Sequence, residues 1–194
     1  SPFNAKNRLK NPAFFIPDPW TSTEVSGSGL DQLLSDAVSQ AVNNNAEGKI
    51  TLKSKIALIV GLLLNARPRN YGKYISLALN AGKKHWNKAM FLDLLLADVF
   101  LNKWNKHQPD FSSLFLNAGA HIQHHYLFNS KVISSQLKLT NPKWYIDPNS
   151  DPFEEMLIVY DKILQDITYS NDAEVLIATG LSQRPYDRIK YYYR

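Results

Sequence analysis

Phe111-Ser-Ser-Leu-Phe-Leu-Asn117 and Glu174-Val-Leu-Ile-Ala-Thr179 are the two stretches on which the fold turns. Both are short apolar runs bounded by turn signals, the pattern of buried strands. Between them, Asp151 suits a helix N-cap and Pro152 the first helical position. Phe153, Met156, Leu157, Tyr160, Leu164 and Ile167 then recur at helical spacing. Strand, helix and strand make a βαβ-like unit, with parallel strands and a right-handed crossover. The predicted fold class is therefore α/β. In open α/β sheets ligands sit at the carboxyl ends of the strands.

Upstream the pattern is helical. Leu30, Leu33, Leu34, Ala37, Val38, Ala41 and Val42 follow the i, i+3, i+4, i+7 rule. A second helix is predicted from Leu52 to Asn65 and is stopped by Pro68. Its Ile56–Leu64 stretch is apolar nearly all round, which predicts deep burial. A third helix covers Tyr71 to Asn80. A fourth covers Lys83 to Asn105, with Asp93 and Asp98 facing solvent. Four helices in succession make a cap or insertion, not an alternating βαβ array. Before them, Ala13–Ile16 is strand-like and is ended by Pro17 and Pro19, and Ser26–Gly29 is a flexible link. The expected organisation is an extended segment and linker over 1–29, a helical cap over 30–106 and an α/β segment over 107–194.

The chain has 194 residues, 44% hydrophobic and 20% charged, which excludes disordered and low-complexity classes. It has no cysteine. That rules out a disulfide scaffold, a thiolate zinc finger, an iron–sulfur cluster and a cysteine nucleophile. The longest apolar run, Ile56–Leu64, is nine residues, too short for a membrane span. The first residues have neither the basic nor the apolar region of a signal peptide. The absent initiator Met points to processing, a cut tag or a piece of a longer protein. The compartment stays open, with the cytoplasm slightly favoured.

The net charge of +5 is unevenly spread. Lys49 to Leu92 holds nine Lys and Arg and no Asp or Glu, and the rest of the chain is net acidic. Such a segment is either a solvated helical face or a site that attracts anions. No nucleic-acid module accompanies it, so no nucleic-acid partner is expected.

The densest chemistry lies in Ala120-His-Ile-Gln-His-His-Tyr126. His121 pairs with His125 at i, i+4 and with His124 at i, i+3, so on a helical turn either pair can grip one divalent cation. The other reading is a structural or pH-sensitive histidine set. No carboxylate lies between Asp110 and Asp147, so further ligands must come from afar. Asp18 is either such a ligand or a turn residue. Trp20 beside it either packs on a substrate or fills the core, and core packing is the favoured reading. Ser182 lies in Gly180-Leu-Ser-Gln183, which is not a nucleophile elbow. Arg184 and Tyr186 near the last strand either contact an anion or re-aim the chain.

Phe115-Leu-Asn-Ala-Gly-Ala-His-Ile-Gln-His-His-Tyr126, the helix with Tyr160 and Asp161, and Leu176-Ile-Ala-Thr-Gly-Leu-Ser-Gln183 together resemble the alkaline phosphatase superfamily, in its type I phosphodiesterase/nucleotide pyrophosphatase-like branch. Phe14-Phe-Ile-Pro-Asp-Pro-Trp20 resembles that branch's segment after the nucleophile, and residues 30–105 its variable cap. The resemblance implies a partial alkaline-phosphatase-like sheet with a helical cap. It implies a metal-dependent phosphohydrolase or phosphodiesterase acting on a phosphate or sulfate ester, either a small molecule or glycan-linked. Two divalent metals, zinc foremost, would serve such chemistry, with His121, His124 and His125 at the metal edge and Asp18 as a further ligand. Arg67, Arg69, Lys73 and Arg184 would meet the anionic substrate. The family's metal-binding Asp falls here on Ala120, and its later Asp-His on Thr179 and Gly180. Its nucleophile and its last metal His would lie before Ser1 and after Arg194. The chain is then a fragment of a larger phosphohydrolase-like protein or a degenerate, non-catalytic member. The rival from another class is a helical binding module with an anion-binding basic face.

Overall fold

The computed structural model describes residues 12–19, 25–43, 50–131, 139–170 and 173–179. Among these the regular elements are helices: α1 (Gly29–Asn43), α2 (Leu52–Asn65), α3 (Tyr71–Asn80), α4 (Asn87–His107), α5 (Ala118–Tyr126) and α6 (Pro152–Ser170), with 3-10 turns at Pro68–Asn70 and Leu127–Asn129. The chain divides into two units. One takes in Ser1–Ile75 and Leu95–Phe115, the other Ser76–Leu94 and Leu116–Tyr192.

The expected α/β fold is overturned. The described residues hold no sheet, and their β pairing is the isolated antiparallel bridge of Phe15 with Ser26. Neither 111–117 nor 174–179 is a strand. Phe111 is exposed, and Leu176 is 91% exposed. A strand exists only through a partner that takes its backbone hydrogen bonds, and apolar composition does not supply one. The partial alkaline-phosphatase-like sheet of the expected fold falls with them. Among the described residues no helix is long and apolar enough to cross a membrane.

All four expected helices form, the fourth starting at Asn87 instead of Lys83. Thr51 caps α2 by accepting from the Ser54 N–H at 3.2 Å. The Ala66 N–H closes its far end onto the Leu62 carbonyl at 2.8 Å, and Pro68 prevents continuation. The burial of α2 is the reverse of expectation. Its inward side is Ser54, Ala57 and Gly61, while Leu52, Ile56, Ile59, Leu63 and Leu64 are exposed. The small side lets α1 approach closely. A Cβ on Gly61 would fall inside the contact distance of the Leu34 methyl groups. Leu34, Ala37 and Val38 of α1 complete that seam.

Three charged side chains brace the first unit. Asp31 is buried, accepts from the Ser28 N–H at 2.6 Å and hydroxyl at 2.9 Å, and pairs with Lys103 at 2.5 Å. Burial pushes its carboxyl upward, but Lys103 and Ser28 outweigh that and hold it below the usual value. Asp98, expected in solvent, is only 1% exposed. It accepts from the Arg67 N–H at 3.0 Å, the Asn70 amide at 2.8 Å and the Tyr74 hydroxyl at 2.8 Å. That one carboxylate ties the turn into α3 to the side of α4. The end of α4 is closed by Gln108 in the left-handed region, φ 44°, whose N–H reaches the Trp104 carbonyl at 2.8 Å.

In the second unit α5 and α6 pack through Ile122, Met156, Val159 and Ile163. Asp151 caps α6 as its sequence suggested, accepting from the Glu154 N–H at 3.0 Å. It also takes the Lys131 N–H at 2.9 Å. The helix expected over 153–167 is realised, but it packs on α5 instead of a sheet, and its buried side is Met156, Val159, Ile163 and Ile167, with Leu157 exposed.

Candidate functional site

Two places in the structure concentrate chemistry, one in each unit. The first is α5, which carries the histidines. The rings of His121 and His125 lie with centroids 4.5 Å apart, tilted by 46°. Nδ1 of His125 is 3.2 Å from the Tyr145 hydroxyl. Tyr126 beside them is buried. It meets Tyr145 at 5.7 Å and Trp86 edge-on at 5.2 Å. The Trp86 indole N–H donates to Glu155 at 2.9 Å, and Lys84 pairs with the same carboxylate at 2.7 Å.

The start of α5 is set from outside the helix. Asn117, at its N-cap, makes no side-chain cap. The buried Asp93 of α4 accepts instead from the Asn117 N–H at 3.2 Å and the Ala118 N–H at 2.8 Å. The Tyr160 hydroxyl donates to Asp93 at 2.8 Å and accepts from the Gly119 N–H at 2.8 Å. Three donors at the positive end of the helix are thereby satisfied. Burial pushes the Asp93 carboxyl up to about 6, against the lowering effect of those three hydrogen bonds. Burial, then the Asp93 charge, pushes the Tyr160 hydroxyl upward. Asp93 was expected in solvent. Nothing in its own neighbourhood marks it, because its partners lie 24 to 67 residues further on.

Among the described residues no group of three His, Asp or Glu is placed to hold a metal ion. His124 and His125 stand about 100° apart around the helix, and His124 is exposed while His121 and His125 are half-buried. Around His125 the rings of His121 and Tyr126 and the Tyr145 hydroxyl gather. Asp18 is half-buried and belongs to the first unit, whereas the histidines belong to the second.

Arg67, Arg69 and Lys73 fall within the turn and first helical turn of α3, in the first unit. The Arg67 backbone is held by Asp98, and Arg69 is exposed. Arg184 lies outside the described residues, as do Trp20, Gly180, Ser182 and Tyr186.

The second place is the outward face of α2. Leu52 is 73% and Leu63 74% exposed, with Ile56 and Ile59 between them. Lys53 and Lys55 stand exposed at its first turn. The apolar run Ile56–Leu64 did mark this helix in the sequence. Which side of it would be covered depended on where α1 packs. No protein-family model matches this chain, and no curated protein or solved structure does either.

Proposed function

We propose that this chain is a helical binding module whose working surface is the outward face of α2. One observation carries the reading: α2 buries Ser54, Ala57 and Gly61 and leaves Leu52, Ile56, Ile59 and Leu63 in solvent. An ordinary surface helix turns its large apolar residues inward. A contiguous exposed apolar strip marks an interaction site. A photo-crosslinking residue in place of Ile59 tests this, with Asp36 on α1, also exposed, as control. The module reading expects a discrete adduct from position 59 only. It also expects the recovered protein to rebind the purified chain at least tenfold more weakly after Ile59→Ser. Equal adducts from both positions, or none, overturn it.

A second reading keeps a phosphate or sulfate ester as the ligand, with this chain a segment of a larger phosphohydrolase-like protein. The observation that favours it is the paired, half-buried His121 and His125 beside the Tyr145 hydroxyl, groups able to donate to an anion or move a proton. Hydrolysis of an aryl phosphate by the full-length protein, lost in both His121→Ala and His125→Ala, would support it. Hydrolysis unchanged in both variants would end it.

A further inference from the structure

The exposed residues of α2 are not scattered. Leu52, Ile56, Ile59 and Leu63 are spaced by four, three and four, the d, a, d, a positions of a heptad. In that register Lys53 falls at e and Lys55 at g, one on each flank of the stripe. Ser54, Ala57 and Gly61 fall at f, b and f, on the far side, and these are the residues that α2 buries. The helix thus has one side closed against α1 and a two-heptad seam left open. The flanks of the seam carry positive charge alone, since no Asp or Glu occurs between Lys49 and Leu92.

We infer that the Leu52, Ile56, Ile59 and Leu63 stripe, edged by Lys53 and Lys55, docks an amphipathic helix of a partner protein whose e and g positions carry Glu or Asp. The inference rests on the binding-module reading and adds the chemistry of the partner. Heptad spacing selects a helix over an extended strand, because apolar knobs repeating every 3.5 residues fit the holes of another helix. Charge selects among helices. Pairing α2 with a second copy brings four lysines together with no carboxylate on either helix, whereas acidic flanks meet Lys53 and Lys55 with opposite charge. The seam, Leu52 to Leu63, spans about 17 Å of helix, so the complex is short and its charge contacts stay at the solvated rim. Their contribution falls with salt.

Two synthetic peptides of about four heptads test this, both with Leu at a and d, one with Glu and the other with Lys at every e and g. Each is titrated against the whole chain at low salt, and the weight-average mass is followed in parallel. The expected result is binding of the Glu peptide at least tenfold tighter than of the Lys peptide. The preference should narrow at high salt and invert in Lys53→Glu/Lys55→Glu. Ile59→Asp, at an exposed position, should abolish binding with the helical circular dichroism unchanged. Equal binding of both peptides, still lost in Ile59→Asp, overturns the acidic-partner inference and leaves the module reading standing. Binding of neither peptide, with Ile59→Asp without effect on mass or binding, overturns both. A dimer of the chain that Ile59→Asp dissociates also overturns the inference, since the occupant would then be a second copy.

Discussion

Replacing Tyr160 by Phe removes one oxygen and almost no volume, and the effect should depend on pH. The Tyr160 hydroxyl donates to Asp93 and accepts from the Gly119 N–H, both at 2.8 Å. A hydrogen bond to a charged group contributes about 1.5–3 kcal/mol, and a buried donor left without a partner costs about 1–3 kcal/mol. Above the Asp93 value of about 6 the carboxylate is charged, so both losses apply. The expected destabilisation there is about 3–4 kcal/mol. Well below that value Asp93 holds a proton, and the bond it loses is an ordinary neutral one. The expected cost then falls to about 2 kcal/mol. Urea denaturation of both proteins at about pH 7.5 and about pH 5, followed by far-ultraviolet circular dichroism, measures the difference. A cost below about 0.5 kcal/mol, or the same cost at both pH values, would refute the placement of Tyr160 on Asp93 and Gly119.

The same carboxylate sets a second expectation. The folded Asp93 value lies above its unfolded value of 3.8, so the folded state holds this proton more tightly. Its contribution is full below pH 3.8 and is lost as pH rises through about 6, and Asp93→Asn should flatten stability across that window in denaturation curves. Lys103→Met leaves Asp31 to the effect of burial; its carboxyl should rise from below its ordinary value, and a carboxyl carbon titration that does not move would disprove the pairing. Asp31 is the opposite case from Asp93, contributing stability above its unfolded value that is lost as pH falls through its lowered one. Asp98→Ala removes the acceptor of the Arg67 N–H, the Asn70 amide and the Tyr74 hydroxyl, and should cost at least about 3 kcal/mol in urea. Gly61→Ala should destabilise despite its better helix propensity, and a double-mutant cycle with Leu34→Ala should recover part of the loss.

Much of the local structure was legible in the residues. The start of α6 follows from Asp151 with Pro152, and the stop of α2 from Pro68. These signals act over three or four positions, where a side chain meets its own backbone. The apolar periodicity of 30–42 and 153–167 likewise set helix type, since period alone separates a helix from a strand over that length, but in the later helix Val159 and Ile163 turn inward while Leu157 stays exposed. The histidine cluster was visible as well, and its i, i+4 members do meet.

What the sequence could not supply is each element's partner. The runs 111–117 and 174–179 have strand composition, but pairing belongs to a neighbour, and none among the described residues takes it up. Asp93 and Asp98 look like ordinary helix-surface acids until Asn117, Ala118 and Tyr160, or Arg67, Asn70 and Tyr74, are folded onto them. The clearest case is α2. Its sequence determined a helix of 14 residues with an apolar seam and lysine edges. Tertiary packing chose its small side for α1, because only Ser54, Ala57 and Gly61 allow that close approach, and so left the seam facing water.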